Sequence, residues 1–331
     1  MCTALAFHAK DNYFGRNLDF DFDFSQEVVI TPRKFKFIFK QEEKTIAQHP
    51  AIIGMGIVVE NYPLYFDATN EKGLSMAGLY FSGNAVYQKA MPNKNNIATY
   101  ELIPWVLTQC TTIAEVKNLL KDINITDQAF NADYPPSPLH WFISDKNKSI
   151  VLESVEDGIK IYDNPTDVLT NNPPFPMQLF HLNQYRHCSS KISNNFFAKD
   201  IPLVEYSRGM GAIGIPGDLT STSRFARVAF IRANAFNNQK TEEEAINQFF
   251  HILKSVEQQK GLCDIGGGAY EYTIYSSCCN ADKGIYYYTT YQNSQISAVN
   301  MHNENLDSTT LITYPLVIQE NIYYINAKKK Q

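Results

Sequence analysis

Two stretches of this chain read as antiparallel meanders, and they constrain its fold more than any other feature. Between Leu139 and Tyr162, three apolar runs are separated by Asp145-Lys146-Asn147-Lys148 and by Asp157-Gly158, a dipeptide favoured in tight hairpins. Between Tyr272 and Met301, the runs Tyr272-Thr273-Ile274-Tyr275, Ile285-Tyr286-Tyr287-Tyr288 and Ile296-Ser297-Ala298-Val299 are spaced by turn-prone Asn280-Ala281-Asp282 and Asn293-Ser294. Residues 34–40 alternate lysine or isoleucine with Phe35, Phe37 and Phe39, the period of a strand with one wet face. Helical patterns lie between these blocks. Thr112 followed by Glu115 predicts a capped helix with Ile113, Val116, Leu119 and Leu120 on one face. Thr241 with Glu244 predicts a second, carrying Ala245, Ile246, Phe249, Phe250, Leu253 and Val256 until Gly261 stops it. A third begins near Ser223 and runs through Phe225, Val228, Ala229 and Phe230. Strands and helices in blocks, without a regular βαβ alternation, predict an α+β fold of mainly antiparallel sheets with helices layered outside. No repeat or Gly/Ser linker divides the chain, so residues 1–331 are expected to form a single domain.

Composition narrows the function classes. The 34 acidic and 29 basic residues give a formal charge of −5, and the only lysine cluster, Lys328-Lys329-Lys330, reads as a solvated terminus. Nucleic acid is not an expected partner. The first ten residues lack the basic and apolar regions of a signal peptide, which predicts a cytoplasmic protein. The apolar stretch Ala51 to Val59 is interrupted by Gly54 and Gly56 and ends at Glu60, so no membrane segment is expected. Six cysteines, at 2, 110, 188, 263, 278 and 279, show no paired zinc spacing. The last five read as small buried hydrophobes. His8, His49, His140, His181, His187, His251 and His302 have no metal spacing and accompany no papain-type cysteine motif. Gly266-Gly267-Gly268 and Gly209-Met210-Gly211 lack the setting of a phosphate loop and read as turns.

Cys2 is different. Removal of Met1 before a small side chain leaves Cys2 with both a thiol and a free α-amine, whose ordinary pKa of about 7.7–8.0 suits it as a general base. Nucleophile and base then share one residue. In Gly15-Arg16-Asn17-Leu18-Asp19 the opposite charges of Arg16 and Asp19 follow what reads as a core strand. They are open to two readings: a structural ion pair, or a cation that favours the thiolate beside an acceptor that orients the amine. Arg224 falls in the first turn of the third helix, where the helix dipole disfavours a cation, so an anionic group is expected to face it.

The chain resembles the choloylglycine hydrolase family, the bile salt hydrolases and penicillin V acylases of the N-terminal-nucleophile superfamily. The likeness spans nearly the whole chain and rests on Met1-Cys2-Thr3, Phe14-Gly15-Arg16-Asn17-Leu18-Asp19, Asn70-Glu71-Lys72-Gly73-Leu74, Leu139-His140-Trp141, Val168-Leu169-Thr170-Asn171-Asn172-Pro173, Gly214-Ile215-Pro216-Gly217-Asp218 and Ser223-Arg224-Phe225. The resemblance implies a four-layer αββα sandwich, a homotetramer and no cofactor or metal. It assigns Cys2 as nucleophile, Arg16 and Asp19 as its polar neighbours, Asn171 as an oxyanion-hole side chain and Arg224 as the active-site arginine. Tyr80 takes the position whose backbone N–H completes the oxyanion hole. Bile salt hydrolases usually carry Asn there and penicillin V acylases typically Tyr, whereas residues 61–84 and 256–288 resemble bile salt hydrolases of Gram-positive gut bacteria. By family position, Leu18, Val59, Phe66, Tyr80 and Leu139 form the apolar wall for substrate. Ser207-Arg208-Gly209 resembles the loop of members that favour glycine conjugates, with Arg208 suited to a carboxylate. The implied reaction is hydrolysis of conjugated bile salts through a thioester. Penicillin V acylase and a non-catalytic bile-acid binder are the alternatives.

Overall fold

The computed structural model describes residues 1–192 and 194–326; the Lys328-Lys329-Lys330 tail lies outside them. Both meanders form. The first consists of strands Leu139–Ser144, Ser149–Val155 and Gly158–Asp163, and the second of Ala269–Asn280, Ile285–Thr290 and Ser297–Asn300. Each belongs to a larger antiparallel sheet. In the seven-stranded sheet the order is Val168–Leu169, Cys2–His8, Asn12–Phe20 and then the second meander, with Cys263–Gly266 folded onto Ala269–Asn280. The eight-stranded sheet continues from the first meander through Ser75–Tyr80, Tyr62–Asn70, Ile52–Val59, Glu27–Thr31 and Ile312–Pro315.

The strand Cys2–His8 is buried from Cys2 to Phe7 without alternation, because one face meets the other sheet and the other face meets helices. One core lies between the sheets and beneath helices Ser221–Asn234 and Glu242–Lys254. A second lies between the eight-stranded sheet and helices Leu102–Leu107 and Ile113–Leu119. The layers run helix, sheet, sheet, helix, as expected. The aromatic alternation of residues 34–40 also appears, with Phe35, Phe37 and Phe39 buried, although only Phe37–Phe39 pairs, with Lys44–Ile46. Cys110, Cys278 and Cys279 are buried; Cys188 and Cys263 are half-buried, contrary to expectation. Among the described residues no helix is long and apolar enough to cross a membrane.

The helix after Thr241 ends at Lys254, short of Gly261. Ser255 caps it by donating to the Ile252 carbonyl at 2.7 Å, and Val256 turns into the core. The released segment then pairs Gln258 with Thr273 through two hydrogen bonds, N–H to Oγ1 at 2.8 Å and Thr273 N–H to the Gln258 carbonyl at 3.0 Å. The early stop delivers the Gln258 side chain to Asp19, where it donates at 3.1 Å.

Candidate active site

Cys2 opens its strand opposite Leu18 and is 4% exposed. Its backbone nitrogen donates to Oδ1 of Asn171 at 2.8 Å. Met1 extends the ladder by one residue: Asp19 N–H donates to the Met1 carbonyl at 2.9 Å, and the Met1 ammonium donates to the Asp19 carbonyl at 2.7 Å. That ammonium also pairs with Glu271. While Met1 is attached, the Cys2 nitrogen is an amide and cannot take a proton; the base exists only after the Met1–Cys2 bond is cut.

Asn171 and Tyr80 meet beside Cys2. Phe81 N–H donates to the Pro138 carbonyl at 2.7 Å, and Tyr80 stands opposite Leu139. Because alternate residues bond across an antiparallel ladder, the Tyr80 N–H and C=O both face away from strand Leu139–Ser144. The carbonyl accepts from Nδ2 of Asn171 at 2.7 Å, so the Tyr80 N–H points toward the side that Asn171 occupies. On that side, pairing between Tyr62–Asn70 and Ser75–Tyr80 stops at Asp67 opposite Ala77.

Arg16 enters from the facing sheet where those strands part. Its Nη1 donates to the Gly78 carbonyl at 2.6 Å and to the Phe66 carbonyl at 3.1 Å, and Phe66 is the residue left out of register at the bulge beside Gly56. Burial opposes its charge, but the Cys2 sulfur, Tyr275, Asp67 and Asp19 outweigh this and raise its pKa. The hydrogen bonds of its guanidinium go to backbone carbonyls, so the structural Arg16–Asp19 ion pair does not form. Asp19 instead accepts from Thr273 Oγ1 at 2.6 Å and from Gln258. It faces Arg224 Nη1 at 3.8 Å, the anionic neighbour expected there. With Met1 attached, the Cys2 amide N–H donates to Asn171 Oδ1, while the register shift between Thr273 and Tyr275 gives the Asp19 carboxylate its own partners.

Arg224 ties these parts together. Its Nη1 donates to the Cys2 carbonyl at 2.6 Å and to Thr3 Oγ1 at 2.5 Å, and its Nη2 donates to Asn171 Oδ1 at 2.7 Å. Burial lowers its pKa, opposed first by Asp19 and then by Cys2. Both arginines are fully buried.

Cys2, Arg16, Leu18, Asp19, Phe66, Tyr80 and Leu139 line one cavity of about 200 Å³. A second, of about 420 Å³, shares Phe24, Tyr65, Phe66, Ser137 and Leu139 with it, so the two form one apolar cleft. Val59 lines neither: it closes the hairpin opposite Tyr62, and Ile57 lines the cleft instead. Ser207 and Arg208 are exposed in a loop and also line neither. Sequence reasoning missed Phe20, Phe22 and Phe24, whose rings touch one another 4.7–5.0 Å apart. Their signal was legible as the alternation Asp19-Phe20-Asp21-Phe22-Asp23-Phe24.

A buried thiol at residue 2, two buried cations and the Asn171 side-chain amide beside the Tyr80 backbone suit acyl transfer from an amide. The bile salt hydrolase/transferase of Lactiplantibacillus plantarum is 52% identical over 326 residues, covering 98% of this chain and 100% of that protein. The crystal structure of a mutant conjugated bile acid hydrolase from Clostridium perfringens superposes with a TM-score of 0.91 at 38% identity, covering 98% and 100% of the two chains. Penicillin V acylase from Agrobacterium tumefaciens shares the fold, with a TM-score of 0.76 at 16% identity over 95% of this chain and 91% of its own. Residues 2–314 match the linear amide C–N hydrolases, choloylglycine hydrolase family, and the chain belongs to that family.

Proposed function

We propose that the chain hydrolyses the amide bond of glycine- or taurine-conjugated bile salts with Cys2 as nucleophile. The observation that carries this reading is the position of Cys2 at the inner end of the apolar cleft, beside Asn171. After loss of Met1, the α-amine takes the thiol proton and the sulfur attacks the amide carbonyl. Asn171 Nδ2 and the Tyr80 N–H stabilise the resulting oxyanion. The ammonium returns its proton to the departing amino acid, leaving a thioester, and the amine then deprotonates the water that cleaves it. Arg16 faces the sulfur, while Arg224 holds Asn171 and the Cys2 carbonyl. The rigid apolar body of a bile acid suits a cleft walled by Leu18, Phe24, Phe66 and Leu139.

Purified protein assayed with glycocholate, taurocholate and penicillin V tests the reading, with Cys2→Ala as the inactive control. Release of glycine or taurine supports it. Failure on both bile salts with hydrolysis of penicillin V establishes the second reading, which Tyr80 in the cleft favours. No hydrolysis at all leaves a binding protein. A cytoplasmic homotetramer belongs to the same proposal; exposure of Phe196, Phe197, Val204 and Tyr206 at 86, 82, 78 and 81% supports assembly. Light scattering that gives a monomer mass would remove the tetramer.

A further inference from the structure

The motif Leu139-His140-Trp141 contains a histidine that the proposed chemistry does not use. His140 and its neighbour Glu153 are both fully buried. Nε2 of His140 lies 2.9 Å from the Thr170 carbonyl, which can only accept, so Nε2 carries a hydrogen. Nδ1 lies 3.2 Å from Glu153 Oε1. That oxygen also accepts the Phe175 N–H at 2.9 Å. Glu153 thus holds the Nδ1 edge of the ring while Nε2 donates to Thr170.

The same ring has a second contact. Phe81 stacks on it with centroids 4.2 Å apart and planes 6° from parallel. Thr170 directly precedes Asn171, and Phe81 directly follows Tyr80. One imidazole thus braces both segments that supply the proposed oxyanion donors, which are joined at their tips by Asn171 Nδ2 on the Tyr80 carbonyl. Glu153 extends the brace to Phe175, where the helix Phe175–His181 begins.

The geometry points to His140, oriented by Glu153, as a positioning residue that sets the spacing of the oxyanion donors. It does not itself line the cleft, although its chain neighbours Leu139 and Trp141 do. The inference rests on the proposed amide hydrolysis but adds to it a claim about two residues outside the reacting groups. A misplacement of donors near 1 Å costs about 10²-fold in rate.

The test compares wild type, His140→Ala, Asn171→Ala and the double variant on glycocholate and penicillin V, alongside the rate at which iodoacetamide alkylates Cys2. The expected result is a fall in kcat of about 10- to 100-fold for His140→Ala, with little change in KM or alkylation. In the Asn171→Ala background the same substitution should cost less than it does alone, because its effect passes partly through Asn171. A folded His140→Ala protein with wild-type kcat, or full additivity with Asn171→Ala, overturns the inference while leaving wild-type hydrolysis intact. Parallel loss of kcat and alkylation also overturns it by revealing general damage. A wild type inactive on both substrates overturns the proposed function and this inference together. Should His140→Ala not fold, Phe81→Leu removes only the stacked ring, and the same split between kcat and alkylation decides.

Discussion

Oδ1 of Asn171 lies 2.8 Å from the backbone nitrogen of Cys2. Arg224 Nη2 reaches the same oxygen at 2.7 Å, so the Asn171 amide cannot flip without placing its NH₂ against two donors. This fixes Nδ2 on the Tyr80 side, where the proposed oxyanion donor must lie. Asn171→Ala is therefore expected to lower kcat by roughly 10²–10³, the usual size for a lost oxyanion donor. Steady-state kinetics check this, and near-wild-type turnover would remove Asn171 from the proposed chemistry.

Met1 occupies the ladder beside Asp19 and has its ammonium on Glu271. A chain that retains it has an amide where the proposed base must be, so folded protein carrying Met1 should hydrolyse neither bile salts nor penicillin V. Intact mass separates the two forms. The active fraction is expected to begin at Cys2, and activity in a homogeneous Met1-bearing preparation would defeat the free-amine mechanism.

Arg16 combines a structural and an electrostatic role. Arg16→Leu leaves the Phe66 and Gly78 carbonyls without their donor, at a cost of about 1–3 kcal/mol for each buried group left unpaired. It also removes the cation facing Cys2. Both stability in denaturant and kcat should fall, whereas Arg16→Lys should recover part of the activity by restoring the charge. Unchanged unfolding of Arg16→Leu would show that the parted strands do not need this bridge.

The meanders, the capped helix after Thr112, the charges of Arg16 and Asp19 beside a core strand and an anionic neighbour for Arg224 were legible because they depend on local pattern or on the cost of placing a charge. The partner of each charge was not legible. Sequence spacing left an Arg16–Asp19 ion pair open as one of two readings, but Arg16 takes the carbonyls of Phe66, at a bulge, and of Gly78, and the turn after Lys254 brings Gln258 to Asp19. Gln258 and Thr273 lie 239 and 254 residues from Asp19 in the chain, and no local pattern marks them. His140 was visible in a motif, yet its tie to Glu153 depends on neighbouring strands whose register emerges only on folding. Val59 was placed in the wall by family position and displaced by the hairpin geometry.

Asp218 anchors the start of the helix that carries Arg224. Its carboxylate accepts from Thr220 N–H and Oγ1 at 2.9 and 2.6 Å and from Ser223 Oγ at 2.7 Å. These hydrogen bonds, led by the Thr220 and Ser223 side chains, lower its pKa from 3.8 to about 2. A depressed carboxyl pKa stabilises the fold above the unfolded value and loses that contribution as pH falls from 3.8 toward 2. At this exposed site screening limits it to about 1 kcal/mol or less. Asp218→Asn should therefore be slightly less stable than wild type at pH 7, with the gap closing as pH approaches 2. A gap independent of pH would show that the charge is not responsible.

In the proposed chemistry, Tyr80 separates catalysis from selectivity. Its backbone carbonyl holds Asn171 Nδ2 and its N–H points to the same side, while its side chain lines the cleft and is 41% exposed. Replacing that side chain leaves both backbone groups in place. Tyr80→Asn is accordingly expected to keep the hydrolytic machinery and to redistribute activity, raising conjugated bile salts relative to penicillin V. Pocket contacts of this kind discriminate by about 1–3 kcal/mol in relative kcat/KM. Measuring glycocholate and penicillin V on wild type and variant tests this. Equal losses on both substrates would make the phenol part of the general machinery, and an unchanged ratio would show that it has no part in choosing the acyl group. A shift toward penicillin V would reverse the assignment, making the phenol a contact that favours bile salts and removing the one observation that supports the acylase reading.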